Sequence, residues 1–316
     1  MSADDGRRAS PFLARLFKSP GPRIGLALSS GGAKGIAHIG VLKILEEAQV
    51  PVHILAGTSM GGVVAAIYAA GRSADEIAAI ARSLRLFDIT QRNRTGWGLV
   101  SQDKIANLLR EALGGDLTFA QLKRPLALVA ADVETGEEVV IHEGSVIEGV
   151  LATTALPIVF PPLRWQGRRL IDGGVLNPVP FDVVREMGAD RVIAVNTLRD
   201  ASDTLEAGEP PGGRGAEAIV RLLLYRTRWA PLISVAERSL DIMGRELVKL
   251  RMQQSPPDLM IEVMLKQVRL FDLDQVDVCL EAGEETARQR WPELIELGEE
   301  SLLSRWTRWW RSVTAG

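Results

Sequence analysis

Ser59 stands in Gly57-Thr58-Ser59-Met60-Gly61, which fits the pattern G-x-S-x-G. A serine on a sharp strand-to-helix turn has its hydroxyl raised at the edge of a sheet, and flanking glycines avoid clashes in that strained turn. A helix starting there sets its partial positive charge beside a developing oxyanion. Ser30-Gly31-Gly32-Ala33-Lys34-Gly35 offers a second site. Such a loop aims successive backbone N–H groups at one spot, which suits an anion. That anion could be a pyrophosphate or an acyl oxyanion. The dinucleotide reading fails because Ser30 takes the place of the first glycine of G-x-G-x-x-G. It fails again because the second strand ends in the serine elbow, in the region where a ribose-binding acid belongs. A phosphate-binding P-loop fails too, since no Ser or Thr follows Lys34. The plain structural alternative is a tight turn with close helix–strand packing.

Ser59 needs a base. The chain has three histidines. His38 and His53 precede the serine, on the first helix and in the strand before the elbow, where packing or surface roles are commoner. His142 follows Ser59 but precedes Asp172, whereas an α/β-hydrolase needs the order serine, acid, histidine. A triad is therefore poorly supported, although geometry can assemble one from any order. A carboxylate hydrogen-bonded to the hydroxyl can act directly. Asp172 is the leading candidate. It ends an apolar run and precedes Gly173 and Gly174, which let another backbone come close. An isolated Asp-Gly is equally the mark of a turn.

These residues need elements to hold them. Ile24–Leu28 reads as a strand, followed by the glycine loop and a helical pattern from Ile36 to Glu46. Val52–Ala56 reads as a second strand, and Val63–Ala70 as a helix stopped by Gly71. A helix near Asp103–Leu113 comes next, then strands at Leu126–Asp132 and Glu138–His142 around a Glu134-Thr135-Gly136 turn. Ile147–Thr154 reads as helix, and Pro157, Pro161 and Pro162 then break the chain. Arg169–Ile171 leads into Asp172. Arg191–Asn196 and Leu259–Leu265 read as strands, with an exposed loop over 200–215 and helices between 216 and 253. The alternation predicts an α/β fold, a three-layer α/β/α arrangement with a mostly parallel central sheet.

The chain has 316 residues, 46% of them hydrophobic, enough for a large core in a single α/β unit. A net charge of −3 argues against general nucleic-acid binding. One cysteine, Cys279, excludes an internal disulfide framework and fits a reducing compartment. No apolar stretch has the length of a spanning helix, and the N-terminus does not read as a signal peptide. The expected location is cytoplasmic. No metal-ligand spacing occurs, and no cofactor is expected.

Taken together, the glycine loop at 30–35, the elbow at 57–61, the Pro-rich segment Ala152–Pro162 and Asp172-Gly173-Gly174 running on to Asn177-Pro178 resemble the patatin-like phospholipase family, in its compact bacterial branch. The resemblance covers roughly residues 23–290. It implies a Ser-Asp dyad in place of a triad, with Ser59 as nucleophile and Asp172 as base. It implies an oxyanion hole at Gly31, Gly32, Ala33 and Lys34, with Lys34 at the family's basic position. Gly35, Gly57, Gly61, Gly173 and Gly174 support these motifs. The implied activity is hydrolysis of fatty-acyl esters of phospholipids, lysophospholipids or related lipids through an acyl-enzyme, without metal. A small-ester or thioester hydrolase, and a catalytically weak lipid-binding or regulatory protein, are the alternatives. Two positions depart from the family: Ser30 replaces a common glycine, and Thr153-Thr154 a common serine.

Residues 1–22 form a basic lead-in, 23–298 the acyl hydrolase domain, and 299–316 a final helix. In that helix Leu302, Leu303, Trp306, Trp309, Trp310 and Val313 share one face, with Arg305, Arg308 and Arg311 opposite. Such a pattern suits a helix lying in a lipid interface at the inner face of a membrane. It equally suits tryptophans packed on the domain or on a second subunit.

Overall fold

The computed structural model describes residues 21–83, 102–157, 159–198 and 230–298. The exposed loop expected over 200–215 and the helix expected over 299–316 lie outside them, as does the lead-in apart from residues 21–22.

Eight described strands form one sheet. They are β1 (Ile24–Leu28), β2 (Ile54–Thr58), β3 (Leu126–Asp132), β4 (Glu138–Ile141), β5 (Leu163–Trp165), β6 (Arg168–Asp172), β7 (Arg191–Asn196) and β8 (Leu259–Glu262). The order is β5-β6-β3-β2-β1-β7-β8, with β4 also paired to β3. The pairings β3–β2, β2–β1, β1–β7 and β7–β8 are parallel, while β4, β5 and β6 are antiparallel additions.

The parallel strands are apolar on both faces, as a doubly covered sheet demands. Leu26, Leu55, Leu128 and Ile193 point into the larger core. That core is closed by α1 (Ala37–Glu47), α2 (Met60–Ala69), α3 (Ala74–Ser83), α4 (Asp103–Leu113), α5 (Val146–Thr153) and, later in the chain, α8 (Val276–Gln289). The alternate residues Ala27, Ala56, Ala127 and Ala194 face the smaller core, with α6 (Phe181–Glu186) and α7 (Ala230–Gln254) on that side. Their small side chains let α6 lie close to the sheet. A last helix, α9 (Trp291–Gly298), follows α8.

Several elements begin where tertiary contacts set them. β2 is shifted two residues past the apolar run, because its register against β1 and β3 carries it to Thr58. The next helix starts at Met60 rather than Val63, immediately after the elbow. The last strand stops at Glu262, short of Leu265. α8 packs on α1 where Gly40 faces Leu280 and Gly283 faces Ala37, so the two helix backbones nearly touch.

Candidate active site

Ser59 joins the end of β2 to the start of α2 with φ 54 and ψ −125. Positive φ is rare for a serine and costs strain that the surroundings must hold. One brace is local. Gly61, in the first turn of α2, lies against the carbonyls of Leu28 and Ser29, where an added Cβ would come within 2.3 and 2.4 Å of their oxygens. A second brace is Thr153, at the end of α5. Its hydroxyl accepts the Ser59 N–H at 2.9 Å and donates to the Val129 carbonyl. Thr153 is one of the two departures from the family pattern, and it keeps the hydroxyl that this bridge needs.

Asp172 reaches Ser59 through the register of β3. Residues 128–131 of β3 pair with β4 on one edge, so β2 and β6 must share the other. β2 ends with Thr58 opposite Val129, and antiparallel β6 ends with Asp172 opposite Ala130. The two strands therefore meet head to head on β3, with Ser59 and Asp172 at the junction. Asp172 Oδ1 accepts the Gly174 N–H at 2.8 Å, and the backbone N–H of Asp172 is tied to the Ala155 carbonyl at 3.0 Å. Burial raises the Asp172 carboxyl from 3.8 to about 6, against the opposing hydrogen bonds of the Ser59 hydroxyl and the Gly174 N–H. A base held there is ionised at neutral pH yet close enough to it to exchange a proton.

The glycine loop faces this pair. Gly31 has φ 156 and Gly32 φ 57. A Cβ on Gly32 would meet Leu270 at 2.4 Å, so both conformation and space require glycine there. Gly35 lies in the same 3-10 turn, Gly57 in β2, and Gly173 and Gly174 in the turn after Asp172. Among the described residues no acceptor takes the N–H of Gly31 or Gly32. The Ala33 N–H is bonded to the Leu270 carbonyl at 2.9 Å, so this donor, expected in the oxyanion hole, is already occupied. Lys34 is 1% exposed, and its Nζ lies 3.6 Å from Asp241 on α7.

Ser59, Asp172, Gly31, Gly32 and Gly174 open on a cavity of about 240 Å³ whose walls are mainly apolar. It runs along α2 past Val63 and Ile67 to Ile80 of α3 and Ile105, Leu109 and Ala112 of α4. An aliphatic chain fits such a wall by burial alone.

None of the three histidines lines this cavity. His38 is fully buried, with Nε2 bonded to the Ser29 carbonyl at 2.9 Å, and burial lowers it to about 4. His53 Nδ1 accepts the Ile24 N–H, and His142 is exposed at the end of β4. Among the described residues no group of three or more His, Cys, Asp or Glu side chains could hold a metal. Sequence reasoning did not find Thr153 as an elbow brace or Asp241 as the partner of Lys34. The first shows only as a hydroxyl residue near the start of the Pro-rich segment, and the second as one acid in the helical region between 216 and 253.

Known proteins resemble this chain in sequence and in fold. An NTE family protein of Mycobacterium tuberculosis, itself uncharacterised, is 35% identical over 204 residues, covering 64% of this chain and 56% of the relative. A second NTE family protein of that organism is 30% identical over 301 residues, covering 90% of this chain and 49% of the relative. Patatin-like phospholipase domain-containing protein 6 of Mus musculus is 34% identical over 214 residues, 64% of this chain and 15% of that protein. The chain thus spans about half the length of the bacterial relatives, and less of the mouse one. Among solved structures, VipD from Legionella pneumophila has the same fold, with a TM-score of 0.56 at 14% identity over 87% of this chain and 67% of that one. The pattern of the patatin-like phospholipase family matches residues 26–185, half of the chain, and spans both Ser59 and Asp172; the chain belongs to that family.

Proposed function

We propose that the protein is a serine acyl hydrolase that cleaves fatty-acyl esters of phospholipids, lysophospholipids or related lipids through a Ser59–Asp172 dyad. The observation that carries this reading is the serine on a strained elbow, beside a buried carboxyl where β2 and β6 meet, at the mouth of an apolar cavity. Asp172 accepts the Ser59 proton as Oγ attacks the ester carbonyl. The N–H groups of Gly31 and Gly32 face the developing oxyanion, and the start of α2 adds its positive end. Lys34 ties the loop toward Asp241 of α7, and Ala33 anchors it to Leu270. The alcohol leaves with the proton from Asp172. Water, activated by the same carboxylate, then releases the fatty acid. Because Asp172 must be ionised to act, turnover falls as pH drops through about 6.

Among the described residues no helix is long and apolar enough to cross a membrane. The stretch with Trp306, Trp309 and Trp310 and with Arg305, Arg308 and Arg311 is proposed as a peripheral anchor on the cytoplasmic side, from its sequence pattern alone. Liposome co-sedimentation of the full chain against one ending at Leu297 tests this. Equal binding removes the anchor.

The hydrolase reading is tested with a lipid panel and a serine-reactive fluorophosphonate. Wild type should release fatty acid and label at Ser59, and Ser59→Ala should do neither. A folded wild type that binds lipid but neither hydrolyses nor labels would be a lipid-binding protein instead.

A further inference from the structure

Behind the dyad, on the side of α6 and α7, four polar side chains close a ring. Arg251, in the last turn of α7, donates to Asp182 Oδ2 and, at 2.6 Å, to Glu138 Oε2. Each carboxylate turns its other oxygen to Asn177, whose Nδ2 donates to Glu138 Oε1 at 2.9 Å and to Asp182 Oδ1 at 3.0 Å. Both amide hydrogens of Asn177 are thereby used. The orientation of the amide is set, because a flip would point its oxygen at two carboxylates. Arg251 also reaches the Leu176 carbonyl at 3.3 Å.

Asn177 is fully buried, and its backbone joins the two catalytic strands. Its N–H donates to the Gly173 carbonyl at 2.9 Å, one residue beyond Asp172. Its carbonyl accepts the Thr58 hydroxyl at 2.8 Å, one residue before Ser59. Nothing in the ring touches the cavity. Yet each reacting side chain stands one residue from a backbone or side-chain group that Asn177 holds.

We infer that Arg251 is a positioning residue for the dyad, acting through Glu138, Asp182 and Asn177; this rests on the proposed hydrolase reading. The charges explain why the guanidinium is needed. Two carboxylates from different elements, β4 and α6, face one amide. Without a cation between them they repel, and each gains by turning to solvent. Both are about a quarter exposed, so that escape is open to them. Asn177 then loses its acceptors, and the Thr58 and Gly173 ties that set the Ser59–Asp172 approach loosen with it. A planar guanidinium can serve both carboxylates at once, whereas an ammonium is a point charge. Arg251 lies beyond residues 26–185, which the family pattern matches, so α7 completes a site whose reacting groups all come from earlier in the chain.

The test uses the full chain, an ester substrate, fluorophosphonate labelling and thermal unfolding. Arg251→Met keeps the aliphatic stem and removes the charge. It is expected to lower kcat and the Ser59 labelling rate together, roughly 10- to 100-fold, as small misplacements of reacting groups do, with KM near wild type. Adding Glu138→Gln and Asp182→Asn removes the repulsion while leaving acceptors for Asn177, and should restore most of the rate. A role in stability alone predicts a lower Tm with unchanged kcat and labelling, and that result overturns the inference. So does a triple variant whose Tm recovers without its rate. Should Arg251→Met not fold, Arg251→Lys decides: a partial loss of kcat at a preserved Tm supports the inference, and wild-type kcat overturns it. A wild type that neither hydrolyses nor labels removes the hydrolase reading and this inference with it. An active wild type matched by Arg251→Met removes this inference alone.

Discussion

The parallel half of the sheet and its antiparallel half each deliver one member of the proposed dyad, by different physics. In the parallel half, β1 and β2 end in glycine-containing turns that feed helices, so the glycine loop and the elbow start from local chain geometry, which contacts from elsewhere then brace. In the antiparallel half, β6 ends in Asp172, whose carboxylate has a local tie to the Gly174 N–H but nothing local that brings it to Ser59. Its aim comes from the register of β3, which seats β2 and β6 on one edge in succession. A local turn carries its own conformational signature. A register is a property of pairing, and one residue of slip would turn Asp172 to the other face.

The largest expected effect falls on the local side. Ser59→Ala should reduce ester hydrolysis to background, by about 10⁴-fold or more, since the nucleophile is gone while the elbow remains. Full turnover by a folded Ser59→Ala protein ends the dyad mechanism. Asp172→Asn tests the other half and should cost nearly as much, because an amide cannot accept the proton.

The same variant has a stability signature of its own. Burial raises Asp172 from 3.8 to about 6, so between those values the folded chain binds more protons than the unfolded one. Stability from this group is therefore lost as pH rises through that window, and stays low above it. Asp172→Asn removes the cost, so its Tm should exceed that of wild type at pH 8 and the gap should close toward pH 4. A lower Tm at pH 8 would mean that the carboxylate is held by more than it pays in desolvation.

Gly32→Val should be next, with roughly 10²–10³ lost in kcat, comparable to losing one oxyanion donor, because the new side chain would displace the N–H that the loop presents. The side chain has no room against Leu270 and the wrong φ for a β-branched residue. Unchanged turnover would give the loop another job. Thr153→Val should be milder in rate but visible in stability, at about 1–3 kcal/mol, because it strips a buried bridge between the Ser59 N–H and the Val129 carbonyl. Thr153→Ser should be close to neutral, and equal Tm values for the two variants would remove the bridge from the account. His142→Ala should change nothing measurable in kcat, and a large loss at normal Tm would revive a triad.

Asn177 shows how the two halves depend on each other. Its neighbours in sequence, Leu176 and Pro178, announce only a break after Asp172-Gly173-Gly174. In the folded chain it takes one hydrogen bond from Thr58 of the parallel half and gives one to Gly173 of the antiparallel half. The distant residue proposed to secure it, Arg251, sits in a region that the sequence marks only as helical.

The amino-acid sequence by itself determined most of the parallel frame. Ile24–Leu28, Leu126–Asp132, Arg191–Asn196 and the helix Asp103–Leu113 all stand at the bounds their patterns predict, because apolar runs and 3.6-residue periodicity are local consequences of burial. It also determined the conformation of the elbow and of the glycine loop, since only glycine-rich turns of that spacing meet their steric demands. The tertiary structure alone decided where β2 and the following helix begin, and that β5 forms at all. It alone occupied Ala33 with Leu270, sank Lys34 toward Asp241, and gave Thr153 the Ser59 N–H to hold. Those outcomes come from hydrogen bonds and close approaches between segments far apart in the chain. Such a partner leaves no mark on the residues that wait for it, and only folding brings it into reach.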